Sequence, residues 1–243
     1  MIVQGCLNGA RPNDYHAALP ITAEQIAADG ARCVAVGAAE LHVHPRGPNG
    51  LESLEAVNET VRALRRTCPG TLIGVSTGAW IEGDTMRTLD RIGGWRELPD
   101  HASVNLSEPD APKVMALLDR IGVGVEAGLA TFADAERFAS LPERSQVLRV
   151  LVEIEDTNTV AGDETVQGIC RVLAQSGVRR PVLLHGFDDT VWHFVTQARM
   201  RCWSTRVGLE DCDRRRGGGR ATDNAELVRD AVDLYFNSTP AKV

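Results

Sequence analysis

A (β/α)8 barrel is the fold class this chain predicts, and three observations predict it. Short apolar runs alternate with longer segments whose apolar residues recur at helical spacing. No linker, repeat or low-complexity stretch interrupts the alternation. The length, 243 residues, suits eight βα units. The chain therefore reads as a single barrel domain over residues 1–243. A doubly wound open sheet is the competing architecture, but it needs a phosphate-binding glycine pattern after its first strand. Asn8-Gly9-Ala10-Arg11-Pro12 does not have the G-x-G-x-x-G spacing.

The first strand is expected at residues 2–7 and the first helix at 22–36. That helix opens with Thr22-Ala23-Glu24-Gln25, where the hydroxyl and the glutamine can satisfy free N–H groups, and Gly37 follows its end. The second strand is expected at 39–44, followed by a helix at 51–66. Further strands fall at 71–76, 102–105, 123–126, 147–152, 181–185 and 204–207. Helical spacing fills the intervals at 84–93, 111–121, 131–139, 163–176, 188–198 and 223–236. Gly122 and Gly177 come where helices must stop.

Composition excludes several functions. With 43% hydrophobic and 24% charged residues the chain can bury a large core. A net charge of -7 leaves no broad basic surface, so neither nucleic acid nor anionic membrane is an expected partner. Arg214-Arg215-Arg216 beside Gly217-Gly218-Gly219 is the local exception, read first as a solvated loop and second as an anion site. The start has no basic n-region, and no apolar window is long enough to span a membrane, so a cytoplasmic protein is expected. Six cysteines without a C-x-x-C pair read as reduced thiols.

In a barrel, function collects at the C-terminal strand ends. His42 and His44, two apart, point to the same side of the second strand. Two neutral imidazoles at the barrel mouth can hold a divalent metal, with zinc the first expectation; a hydrogen-bonded structural pair is the alternative. A catalytic zinc wants a third protein ligand, and Glu210 and Asp211 close the eighth strand, near neighbour to the second in a closed barrel. Both also suit a capping role. Other polar strand ends are Asn8, Arg11, Ser76, Thr77, Asn105, Ser107, Glu126, His185 and Arg206.

These residues sit in motifs that resemble the β-keto acid cleavage enzymes. The resemblance runs over nearly the whole chain, through "CLNGAR", "AAELHVHPR", "IGVSTGAWI", "ASVNLSE", "GVGVEAGL", "LLHGF", "TRVGLED" and "TDNAELV". It implies a zinc-dependent barrel, usually a homo-oligomer, that condenses a β-keto acid with acetyl-CoA to give acetoacetate and a new acyl-CoA by a retro-Claisen route. The metal ligands it implies are His42, His44 and Glu210. The catalytic residues it implies are Arg206, Asp211, Ser76, Asn105 and Glu126. Arg11, Thr77, Gly78, Trp80 and His185 are the expected substrate contacts, His185 also as a partner behind the ligands.

The chain departs from the family's pattern twice. The family's H-x-H-x-R-D is here His42-Val43-His44-Pro45-Arg46-Gly47, so an acidic residue that helps order the loop is missing. Arg11 stands where the member acting on an amino-bearing keto acid has glutamate. A guanidinium suits an anion, so a substrate with a neutral or anionic far end is expected. Two rivals remain: an amidohydrolase-type metal-dependent hydrolase and a non-catalytic barrel that binds metal or metabolite. The first lacks histidines after strands five and six, where Glu126 and Glu153 stand.

Overall fold

The computed structural model describes residues 1–237. Eight parallel strands pair in chain order and close into a barrel, with β1 (Val3–Cys6) hydrogen-bonded to both β2 (Glu40–Val43) and β8 (Ser204–Val207). Between them run β3 (Leu72–Ser76), β4 (His101–Asn105), β5 (Gly124–Leu129), β6 (Arg149–Ile154) and β7 (Val182–Gly186). The crossover helices are α1 (Ala23–Ala35), α2 (Val57–Thr67), α3 (Thr85–Gly93), α4 (Ala111–Arg120), α5 (Phe132–Ser140), α6 (Thr159–Gln175), α7 (Val191–Met200) and α8 (Asn224–Val232).

Local chemistry accounts for most boundaries. Thr22 caps α1, its hydroxyl accepting from the Gln25 N–H while the Gln25 side chain accepts from the Thr22 N–H. Where the observed elements differ from the expected ones, a specific residue is responsible. β5 runs on to Leu129 because Gly128 is a strand residue with no turn; a Cβ there would meet the Glu153 and Asn105 side chains. β6 continues past Glu153, whose charge faces the interior between Val152 and Ile154. α6 starts at Thr159, because the Asn158 side chain accepts from the Val160 and Ala161 N–H groups. The expected helix at 51–66 begins as a 3₁₀ turn at Leu54–Ala56, and the one at 223–236 ends in a π turn at Asp233–Asn237.

Apolar burial lies between the strands and the helices, where Leu41, Val43, Ile73, Val75, Ala102 and Val104 face outward from the sheet. The barrel interior is polar instead. Gln4, Glu40, His42, His101, Glu126, Arg149, His185 and Arg206 are all buried there. Gly74 makes room for this filling, since a Cβ at that position would strike the His101 imidazole. Asn224, buried at the start of α8, ties the two ends of the chain together. Its side chain accepts from the Leu209 N–H at 2.6 Å and donates to the Leu7 carbonyl at 2.8 Å and to Asp29 at 2.6 Å. The loop that follows β8 is thereby fixed against the end of β1. Among the described residues no helix is long and apolar enough to cross a membrane, and all six cysteines are free thiols.

Candidate functional site

A cavity of about 490 Å³ opens at the C-terminal ends of the strands. His42 projects into it from β2, and His44 enters from just beyond the strand's end. Asn8 fixes that extension: its side chain donates to the His44 carbonyl at 2.8 Å and accepts the His44 N–H at 2.9 Å. The His44 Nδ1 lies 2.6 Å from a Glu52 carboxylate oxygen, which turns the Nε2 edge inward. The two Nε2 atoms then stand 3.3 Å apart. Glu210 Oε1 completes a triangle, 3.5 Å from His44 Nε2 and 3.9 Å from His42 Nε2.

Those separations can be compared with a coordination shell. Ligands about 2.0–2.1 Å from a tetrahedral ion are separated by about 3.3–3.4 Å. The His–His edge matches that span, and the two edges to Glu210 are slightly longer, so the three donors fit a divalent metal and leave the pocket side open. Burial lowers the His42 pKa to about 3, and the nearby Glu210 only partly opposes it, so this imidazole is neutral at neutral pH and keeps one ring nitrogen's lone pair for a metal. Burial acts the same way on His44, but Glu210 and Glu52 outweigh it and raise the value to about 9. Glu210 is held well below the usual carboxylate range: burial opposes this, and Arg206 and the two histidines prevail.

A second ring of charge supports the triangle. Arg206, almost fully buried, donates to Glu210 at 2.7 Å and to Asp211 at 3.2 Å, and lies 3.8 Å from Glu153. His185 sits behind it, Nδ1 3.2 Å from Asp211 and Nε2 3.3 Å from Glu153. Asp211 Oδ2, Glu210 Oε2 and His42 Nδ1 are buried with no hydrogen-bond partner among the described residues. Unsatisfied buried polar atoms are uncommon, but they recur deeper in the barrel at His101 Nδ1 and Glu126 Oε2, so they mark the polar interior as a whole.

The other expected site residues divide into two groups. Ser76, Asn105, Trp80 and Arg11 all line the cavity. The Ser76 hydroxyl accepts from the Gly78 N–H at 3.3 Å, and Asn105 donates to Glu108 at 3.4 Å. Trp80 leans over Gly78 and donates from its indole to Glu52 at 3.1 Å, so one carboxylate joins this ring to His44. Arg11 stacks on Tyr15 and donates to Asp188 at 2.7 Å and to the carbonyls of Glu210 and Asp211. Thr77, Gly78, His185 and Glu126 are not brought to the cavity wall. Thr77 donates to the Ser103 carbonyl, His185 reaches the cavity only through Glu153, and Asp211 is fully buried behind Arg206 and Glu210, off the cavity wall.

Glu126 belongs to a separate cluster lower in the barrel. Glu40, His101 and Glu126 form a second buried group with ligand-like spacing, but Arg149 donates to both carboxylates and so occupies it. Burial would raise the Glu126 pKa; Arg149, His101 and His42 bring it down to about 2.

Sequence reasoning passed over Glu52, which it placed inside a helix, and Asp188 and Glu155, which share the cavity with Glu153. The loop expected to be loosened by Gly47 is held by Arg46 instead, which donates to Asn13, Gly50, Gly9 and Arg11.

A sequence model of the beta-keto acid cleavage enzyme family matches residues 1–179, which include the histidine pair and six of the eight strands. A 3-keto-5-aminohexanoate cleavage enzyme from Fusobacterium nucleatum subsp. nucleatum is 27% identical over 108 residues, covering 43% of this chain and 39% of that protein. Among solved structures, apo ObcA superposes with a TM-score of 0.67 at 18% identity, over 87% of this chain and 60% of ObcA. A ternary complex of ObcA with a C4-CoA adduct and oxalate gives 0.68 at 18% identity, over 87% and 62%. A 3-dehydroquinate dehydratase from Geobacillus kaustophilus gives 0.58 at 10% identity, over 97% and 92%. The structural likenesses show the barrel fold, and the chain spans less than two thirds of the length of the first relatives it matches.

Proposed function

Because this chain belongs to the β-keto acid cleavage enzyme family, we propose that it is a zinc-dependent member that condenses a β-keto acid with acetyl-CoA, releasing acetoacetate and a new acyl-CoA. One observation carries this reading. His42 and His44, inside the family match, meet Glu210, outside it, in a triangle whose His–His edge has the length of a tetrahedral shell and whose two edges to Glu210 are longer, with one side open to the cavity. Zinc bound there supplies Lewis acidity toward the keto oxygen.

The chain's own residues do the rest in this reading. Asp211, just behind the cavity wall, is the base that takes a proton from the carbon between the two carbonyls once substrate is seated, with Arg206 and His185 fixing its orientation. The resulting carbanion forms a bond to the acetyl carbonyl and thiolate leaves. Thiolate returns to the original keto carbon, the carbon–carbon bond breaks, and the departing acetoacetate takes up a proton. Ser76 and Asn105, on the cavity wall, donate to the oxyanion that develops. Glu126, paired with Arg149 below, positions the polar layer on which His42 rests and does not touch substrate. Thr77 and Gly78 shape the strand end behind Ser76.

Arg11 sets the far end of the substrate. Its partner Asp188 is exposed, so an anionic or neutral group can replace that carboxylate, whereas an ammonium group meets a guanidinium. Arg11→Glu should turn the preference toward amino-bearing keto acids; an unchanged preference would remove the assignment.

The deciding experiment is incubation with acetyl-CoA and a panel of β-keto acids, read by mass spectrometry. Acetoacetate and a matching acyl-CoA should appear together. Hydrolysis without CoA dependence would favour the amidohydrolase reading, and no reaction would favour a binding barrel. Elemental analysis should find about one zinc per chain, lost in His42→Ala.

A further inference from the structure

A co-substrate that ends in phosphates must rest somewhere outside the cavity, because the cavity wall is acidic. Glu153, Glu155, Asp188 and Glu210 all line it, against Arg11 and Arg206. The chain as a whole carries -7. A polyanion therefore needs a local patch of the opposite sign.

The segment after β8 supplies one. Beyond Asp211 the chain forms a small hairpin in which Arg214 bridges Arg220, the Arg215 N–H donates to the Gly219 carbonyl, and Gly218 turns the tip with a positive φ of 90°. Three contacts hold it in place. Arg215 pairs with Asp230 at 2.7 Å and Glu226 at 3.3 Å on α8, Trp192 of α7 donates to the Arg214 carbonyl, and Arg220 pairs with Asp213 and donates to the Tyr15 carbonyl. Those anchors use Arg215 and Arg220. Arg214 and Arg216 are exposed and have no carboxylate partner among the described residues.

Placement makes this patch relevant to the cavity. Tyr15, whose carbonyl Arg220 holds, carries Arg11 on its ring at 4.5 Å, and Arg11 lines the cavity. Only one side chain separates the hairpin from the lip. Loops after the seventh and eighth strands are also where barrels of this kind most often bind phosphate. Arg216 lines the hollow behind the tip together with Asp230 and Asp233, but it pairs with neither, and Arg215 neutralises the first.

We propose that this hairpin, through Arg214 and Arg216, is the phosphate-binding subsite for the nucleotide end of CoA. The inference rests on the reading of acetyl-CoA as co-substrate, and its test uses binding instead of turnover. The probes are desulfo-CoA and adenosine 3′,5′-bisphosphate, titrated calorimetrically against the full chain. Wild type should bind both, and Arg214→Ala/Arg216→Ala should weaken both by about tenfold with a shallower salt dependence. Arg62→Ala/Arg91→Ala, which removes the same charge from α2 and α3, should leave the affinities alone. Equal binding by wild type and the hairpin variant would overturn the subsite while leaving the co-substrate in place. An equal loss in the control variant would overturn it too, by reducing it to net charge. Wild type that binds neither probe would sink the subsite and the co-substrate together.

Discussion

The mouth and the floor of this barrel hold nearly the same donors and put them to different use. At the mouth, two histidines and a glutamate converge with their nearest guanidinium behind the glutamate, so the space between them is free. At the floor, two glutamates and a histidine converge on Arg149, which donates to both carboxylates. A donor cluster is thus a site or a strut according to whether the fold supplies its own cation. Residue types alone do not distinguish the two.

The comparison can be broken most sharply at the mouth. His42→Ala should leave the purified protein without metal, by elemental analysis, and lower turnover by on the order of a thousandfold while the fold survives. At the floor the expected effect is on stability. Arg149→Met strands two buried carboxylates and should cost about 3–5 kcal/mol in urea unfolding. Added zinc should restore part of that loss if Arg149 stands in for an ion; no restoration would mean the floor cannot open to one. A smaller effect is expected at Glu52, which touches no substrate but orients His44. Glu52→Gln should weaken zinc affinity by about 10–100-fold in a chelator competition, without changing the bound stoichiometry at saturating zinc.

The smallest expected effect is a slope with pH. Folded Glu126 is held at about 2 against an ordinary 4.5, so the unfolded chain takes up a proton that the folded one refuses. Its contribution is complete above pH 4.5 and is lost as pH falls toward 2. Glu126→Gln should flatten acid unfolding across that window, and an unchanged profile would show that Arg149 does not set the floor's acid sensitivity.

Much of this was legible in the sequence because period and capping are local. Among the described residues, each of the eight strands and eight crossover helices was placed, and the H-x-H spacing alone put His42 and His44 on one side of the second strand and its extension. What escaped depends on contacts between distant segments. The fifth strand is expected to stop at Glu126, yet it runs on through Gly128, a strand residue kept bare for Glu153 and Asn105. Glu52 reads as a helix residue, yet it holds His44 and Trp80 from a loop. Glu126 reads as a polar strand end at the mouth, but it lies deeper, and its depth follows from register with Arg149, which a single strand does not reveal.

The pairing of β1 with β8 also bears on when the site comes into existence during synthesis and folding. His42 and His44 are made well before Glu210. They meet only when the first and last strands have zipped together and Asn224 has clasped Leu7 to Leu209. Contacts across such a separation form late, because the chain must first lose the entropy of a very long loop. A nascent or truncated polypeptide that ends before β8 has two imidazoles and no third ligand. On the proposed function, tight ion capture is expected only of the closed barrel, and an ion seated there would favour the closed ring over its opened forms.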